Sequence, residues 1–321
     1  MILVTGSAGF IGSAIAWGLN EAGIENIILA DKLHKKDKWK NIAKRNIYDW
    51  VDRDELFDYL EEKGENIEAI IHMGACSATT EIDADFLMKN NFEYTKKLWE
   101  FSVKKKIKFI YASSAATYGA GEKGYDDKKD IKGLLPLNKY GYSKHIFDIW
   151  AQKQKSQPKQ WLGLKFFNVY GPDEYHKERM ASVIYHTFNK VNETGGMQLF
   201  KSHKKGYENG EQLRDFVYVK DIVNVIIFFI KNKSRSGLIN LGTGKARSFN
   251  DLANATMKAM GIEPKIEYID MPLDIRDKYQ YFTEAKMEKL KEMGYKKEFY
   301  SLEDGIKDYV QNYLMKEDRY L

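Results

Sequence analysis

Tyr140 and Lys144 stand four residues apart in Tyr140-Gly141-Tyr142-Ser143-Lys144, a spacing that puts a phenol and an ammonium on one helix face. A phenol ordinarily loses its proton near pH ~10. A neighbouring ammonium favours the phenolate and lowers that value, which suits proton exchange with a substrate hydroxyl. The same spacing recurs at Tyr59/Lys63 and Tyr125/Lys129, so context must separate the three. Tyr59 sits among polar helix neighbours and Tyr125 in an acidic loop. Only Tyr140 follows a strand end, Ile110-Tyr111-Ala112-Ser113-Ser114, that offers hydroxyls at the carboxyl edge of a sheet, where ligands bind in open α/β folds. Ser114 can there hydrogen-bond a reacting oxygen.

A second constellation opens the chain. The apolar run 2–5 passes into Gly6, Gly9 and Gly12, with Phe10 and Ile11 between the last two, and then into a helical pattern. Gly6 permits a tight turn, Gly9 lets backbone approach a pyrophosphate, and Gly12 lets the helix pack closely on the sheet. The first helical N–H groups are unpaired and carry partial positive charge, so an anion is stabilised there. Between a strand and a helix, this spacing reads as a dinucleotide site. Asp31 ends the next apolar run, where a carboxylate accepts hydrogen bonds from ribose hydroxyls and favours NAD. The stretch Lys32-Leu33-His34-Lys35-Lys36-Asp37-Lys38 could instead clamp a 2′-phosphate or stand as a solvated loop, which leaves NAD against NADP open.

Holding these groups together requires alternating strands and helices. Strands are predicted at 2–5, 26–30, 69–72, 107–113 and 161–167, and helices at 10–22, 52–63, 85–105 and 138–155. The pattern predicts an α/β fold, a Rossmann-type doubly wound parallel sheet with a smaller, mainly helical substrate-binding domain. After Asn168 the alternation fades: 175–192 reads as helix, and 195–196 and 201–210 as loop. It returns at 215–219, 222–230 and 238–241, before a mainly helical tail with a strand at 265–269. The expected division is a dinucleotide-binding domain of 1–167 plus about 215–240, and a substrate domain of about 168–214 plus 241–321.

Hydrophobic content of 43% and charged content of 30% are those of an ordinary globular protein, and a net charge of +5 gives no argument for nucleic acid. Cys76 is the only cysteine, which excludes an intrachain disulfide and suits a reducing compartment. The six histidines are scattered, so no metal is expected. The apolar run at 226–230 is too short to span a membrane. A cytoplasmic protein without membrane or nucleic-acid partners is the expectation.

Several stretches together resemble the extended short-chain dehydrogenase/reductases, which act mainly on nucleotide-activated sugars. They are Thr5-Gly6-x-x-Gly9-Phe10-Ile11-Gly12, the Ser113-Ser114 strand end, Tyr140-x-x-x-Lys144, Arg214-Asp215-Phe216-Val217-Tyr218-Val219-Lys220-Asp221 and Asn240-Leu241-Gly242-Thr243-Gly244. The resemblance covers almost the whole chain in order. Finer stretches are similar to the branch that epimerises ADP-linked heptoses at C6: Gly74-Ala75-Cys76-Ser77-Ala78-Thr79-Thr80-Glu81, Phe166-Phe167-Asn168-Val169-Tyr170-Gly171-Pro172 and His176-Lys177.

The resemblance implies an isomerase of lipopolysaccharide inner-core synthesis that transiently oxidises and re-reduces C6 with tightly bound NADP, NAD being the alternative. It implies Tyr140 and Lys177 as acid/base groups, because inverting a carbinol centre needs proton transfer on both faces, with Lys144 and Ser114 beside them. Asp31, Lys32, Lys38, Arg53 and Asn90 would join the glycine loop in holding the cofactor, as would Met73, Gly74, Ala75, Cys76, Ser77, Val169, Lys144 and Lys177. Substrate would meet Ser114, Asn168, His186, Phe200, Lys201, Ser202, His203, Arg214 and Tyr279, with Arg179 bordering the sugar. A guanidinium at Arg214 suits a diphosphate, an ion pair with Asp215 being the alternative. A homo-oligomer is expected.

Two rivals stay open. One is another nucleotide-sugar enzyme of this fold, such as a UDP-hexose 4-epimerase, which needs no Lys177. The other is a non-catalytic NAD(P)-binding regulator, which commonly lacks the tyrosine or lysine. A 4,6-dehydratase fits less well, because Ala115-Ala116-Thr117 stands where dehydratases place an acidic pair.

Overall fold

A computed structural model describes residues 1–34, 37–276 and 279–321, which leaves Lys35 and Lys36 of the basic run outside the described residues. The apolar runs of the first half form β1 (Ile2–Thr5), β2 (Ile27–Asp31), β3 (Asp49–Asp52), β4 (Ala69–His72), β5 (Lys108–Ser114) and β6 (Gln160–Phe166). Between them lie α1 (Phe10–Glu21), α2 (Leu56–Lys63), α3 (Ala84–Leu87), α4 (Tyr94–Lys105) and α5 (Lys139–Lys153). The later strands are β7 (Asn168–Tyr170), β8 (Met197–Phe200), β9 (Leu213–Tyr218), β10 (Gly237–Leu241), β11 (Ala246–Ser248) and β12 (Ile266–Ile269). The later helices are α6 (Val183–Thr194), α7 (Val219–Lys231), α8 (Phe249–Ala259), α9 (Leu273–Arg276), α10 (Glu288–Glu292) and α11 (Leu302–Tyr309).

The main sheet is parallel and runs β10-β6-β5-β4-β1-β2-β3. Strand order therefore reverses between β1 and β4, and in such sheets the crevice beyond the strand ends at that point is the ligand site. A smaller sheet runs β11-β9-β7, and β12 pairs with β8. Among the described residues no helix is long and apolar enough to cross a membrane.

Four expectations need correction. Asp49–Asp52 is an edge strand, not the approach to a helix at 52; only Val51 of it is buried, too short a signal to read, and pairing with β2 supplies the rest. The long helix at 85–105 is interrupted by a π-helical turn at Met88–Glu93. The helix at 175–192 is two elements, because Glu178 takes a left-handed φ of 49° and the Ser182 hydroxyl then caps α6 by accepting from the Tyr185 N–H. The return at 215–240 is split: β9 pairs with β7 and β11 outside the main sheet, whereas α7 packs on α1 and β10 joins β6.

At the switch point β1, β4 and α4 are tied by His72. Its Nδ1 lies 2.6 Å from the Thr5 hydroxyl and its Nε2 2.9 Å from the Thr95 hydroxyl. The Thr95 proton is committed to the Asn91 carbonyl at 2.6 Å, so His72 donates through Nε2, and in the neutral ring Nδ1 accepts from the Thr5 hydroxyl. Burial first, and the charge of Lys144 second, bring His72 from its ordinary 6.5 to about 3.

Between those values the unfolded chain binds the extra proton and the folded one does not, so His72 favours folding fully above about pH 6.5 and loses that contribution as pH falls toward 3. His72→Asn should flatten the acid limb of a denaturation series, removing a slope of about 1.4 kcal/mol per pH unit. An unchanged acid limb in the variant would contradict the neutral assignment.

Candidate active site

A cavity of about 690 Å³ lies at the switch point, lined by the loop after β1, the ends of β2, β4 and β5, the start of α5 and the segment after β7. Gly6 has φ +65°, and a Cβ there would sit 2.5 Å from the Gly74 nitrogen, so β1 and β4 turn against one another only through glycine. A Cβ on Gly12 would lie 2.1 Å from the Gly6 carbonyl oxygen, which fixes how tightly α1 leaves the loop. Gly9 caps α1 without any side-chain hydrogen bond, and the first turn holds no acidic residue. The opening N–H groups of α1 are thus uncommitted beside the cavity, a cradle that fits a pyrophosphate.

At the far end of this cradle the carboxylate of Asp31 is already engaged. Its Oδ2 accepts from the Ala8 N–H at 2.9 Å, and its Oδ1 from the Lys32 N–H at 2.6 Å and the Lys38 ammonium at 2.5 Å. Asp31, expected to accept from a ribose, lines the cavity and also holds the loop, paired there with Lys38. Lys32 pairs with Asp54, and Arg53 donates to Asn90 Oδ1 at 2.9 Å. Lys38, Arg53 and Asn90 all line this end, together with Lys32. Met73, Gly74, Ala75, Cys76, Ser77 and Val169 line the cavity as well.

α5 starts where Asn138 Oδ1 accepts from the Gly141 N–H at 2.7 Å, and this cap sets the phase that brings Tyr140 and Lys144 to the cavity beside Ser114. Burial pushes the Tyr140 phenol up, and a hydrogen bond from the Ser114 hydroxyl offsets part of that. The expected lowering by Lys144 is not among the influences on Tyr140, and the Lys144 ammonium donates to the Ala112 carbonyl at 2.9 Å. Lys144 is itself brought down to about 8 by burial, with Asp148 acting in the opposite direction.

Lys177 reaches the same cavity from a different element, the tight turn Tyr175–Met180 after β7. Buried Glu174 staples this turn, its carboxylate accepting from the Ser182 N–H at 2.5 Å and the Ser182 hydroxyl at 2.6 Å. The preceding Asp173 accepts from the Ser13 hydroxyl of α1 at 3.0 Å, tying the turn to the glycine-loop helix. Lys177 Nζ lies 5.8 Å from the Phe10 ring centroid. Burial pushes its ammonium below the usual lysine value, with Glu174 pulling it back. A lysine so placed can give and take a proton nearer neutrality than a solvated one.

Of the expected substrate residues, only Ser114 lines this cavity. Phe200, Arg214 and Tyr279 instead form a cluster of their own: the Arg214 guanidinium lies 5.2 Å from the Tyr279 ring centroid, and Phe200 and Tyr279 stand 6.4 Å apart. His203 joins it through its backbone N–H, which donates to the Tyr281 hydroxyl, Tyr281 meeting Tyr279 edge-on. Arg214 is not ion-paired with Asp215, whose carboxylate accepts from Thr243, Gly244 and Ala285, because neighbouring strand residues point to opposite faces. Asn168 and Arg179 are exposed, Lys201 pairs with Asp270 at 3.6 Å, Ser202 closes a turn with Asn209, and His186 lies on α6 beside Tyr185.

Other functional groups carried little or no sequence signal. Asn91 donates to the Cys76 carbonyl and Ser143 hydroxyl at 3.0 Å each and accepts from the Cys76 N–H at 2.8 Å, joining the loop after β4 to α5. Asp148, one turn beyond Lys144, accepts from Lys165 and Ser113 at 2.7 Å and from Tyr111 at 2.9 Å. Lys165 was visible in principle, as a lysine inside an otherwise apolar strand.

With this geometry in hand, the comparisons are specific. The model of the NAD dependent epimerase/dehydratase family matches residues 2–242. The chain belongs to that family. Across the full length of both chains this family member is 61% identical to the ADP-L-glycero-D-manno-heptose-6-epimerase of Fusobacterium nucleatum subsp. nucleatum. It is 50% identical, again over both full lengths, to the enzyme of the same name from Nitratidesulfovibrio vulgaris. The crystal structure of the Helicobacter pylori ADP-L-glycero-D-manno-heptose-6-epimerase superposes with a TM-score of 0.80 at 30% identity, covering 97% of this chain and 95% of that one.

The fully buried Asp148–Lys165 pair gives this site its own stability test. Asp148→Asn or Lys165→Met alone should cost about 3–5 kcal/mol in denaturant unfolding, since each leaves a buried charge uncompensated. The double variant should cost clearly less than the sum. Additive losses would show that the two side chains do not act as a pair.

Proposed function

We propose that this epimerase interconverts the C6 epimers of ADP-glycero-manno-heptose, using NADP as a resident cofactor that is not consumed. One observation carries the mechanism: Tyr140 and Lys177, from separate elements, line one cavity with the glycine cradle. The full-length likeness to heptose epimerases supports the choice of sugar.

NADP, when bound, supplies reversible hydride exchange with the sugar carbon. The chain supplies everything else. The uncommitted N–H groups of α1 would hold the pyrophosphate, and Lys38 and Arg53 would stand at the end where a 2′-phosphate would lie. Paired with Lys38, Asp31 repels such a phosphate less than a lone carboxylate would, so the pair is compatible with NADP. Tyr140, with Ser114 as partner, exchanges the proton of the C6 hydroxyl on one face, and Lys177 does so on the other. Arg214, in its aromatic cluster, is the candidate to meet the ADP diphosphate.

Purified protein incubated with ADP-D-glycero-β-D-manno-heptose and no added cofactor should yield both C6 epimers by NMR. Tyr140→Phe and Lys177→Met should each lower kcat by about 10²–10⁴-fold. No conversion, even with NADP supplied, would overturn the heptose assignment. Full activity in Lys177→Met would leave a one-base epimerase of the UDP-hexose type.

A further inference from the structure

A second cavity, of about 640 Å³, lies against the three-stranded sheet and shares no lining residue with the first. Phe216, Leu290, Tyr295 and Phe299 give it apolar and aromatic walls, and Lys245, Lys291, Lys296 and Lys297 stand around them. All four lysines are exposed, and among the described residues none of their ammonium groups meets an acceptor. Arg247, at the same rim, is by contrast satisfied by Asp251 at 2.9 Å and Glu303 at 2.6 Å. The lining carries only Glu298 and Asp304 as acids, and Asp304 accepts from the Ser301 hydroxyl at 2.6 Å.

We propose that this cavity is a second binding site, for a nucleoside phosphate. The size is that of a small-molecule pocket, with apolar walls and few polar groups. Lysines serve as point charges for a phosphate, and Tyr300, a lining ring 40% exposed, offers a face for a flat base. The rings without the lysines would suit a neutral ligand, and the lysines without the rings a free anion; their combination selects a ligand with both parts.

The test is photolabelling of the cofactor-loaded protein with 8-azidoadenosine triphosphate, followed by mass mapping. Label should appear within residues 287–302, and the charge-reversing pair Lys291→Glu and Lys297→Glu should cut it by about tenfold. Both lysines are surface residues outside the epimerase site, so the epimerisation rate of that variant should not change. Label confined to the first cavity, or label at 287–302 that ignores the charge reversal, would overturn the proposal.

Discussion

The ion pair between Asp148 and Lys165 lies wholly inside the protein and ties α5 and β5, which carry Tyr140, Lys144 and Ser114, to β6. Taking two charges out of water is costly, and the cost is offset only where every donor and acceptor is matched. Here it is matched: Asp148 also takes the hydroxyls of Tyr111 and Ser113, and Lys165 also meets the Thr117 hydroxyl at 2.6 Å. Ser113 precedes Ser114 on β5, Asp148 follows Lys144 by one turn of α5, and Lys165 belongs to β6. A shift of α5 along the sheet would break several of these bonds together. The register of Ser114, Tyr140 and Lys144 is thus set from beneath, by a pair, Asp148 and Lys165, that does not line the cavity.

The opposite wall is held by a different device. Glu174 staples the turn that carries Lys177, and Asp173 fastens the same turn to Ser13 of α1. The second acid/base candidate is in this way referenced to the helix whose N-terminus fits the cofactor pyrophosphate. Neutral His72 does the equivalent between β1 and β4. Cofactor cradle and proton-transferring groups share one rigid frame, which is what repeated transfer to two faces of one carbon demands.

Much of this frame was legible in the sequence, where local pattern and chemistry coincide. The run 2–5 followed by three glycines and a helical pattern reads as a strand, a tight turn and a close-packed helix. Tyr140 was separated from its two look-alikes by the strand end before it. Less legible were features set by tertiary contact. The edge strand Asp49–Asp52 buries a single side chain, so its pattern is too short to read. Asp31 has the right type and place for a ribose acceptor, and only the fold shows that it also holds the loop and pairs with Lys38. Asn91 and Asp148 look like ordinary polar helix residues until the sheet closes over them. The substrate-side residues come from 168–279, where the alternation lapses, and only the fold shows which of them gather around Tyr279.

The central claim is that C6 is oxidised and then reduced by the same bound cofactor, while the protein moves only hydroxyl protons. Epimerising ADP-heptose deuterated at C6 in ordinary water tests it directly, with the product examined by NMR. The account predicts that deuterium stays at C6 in both epimers. Loss of the label to solvent would contradict it, because the carbon-bound hydrogen would then have left as a proton.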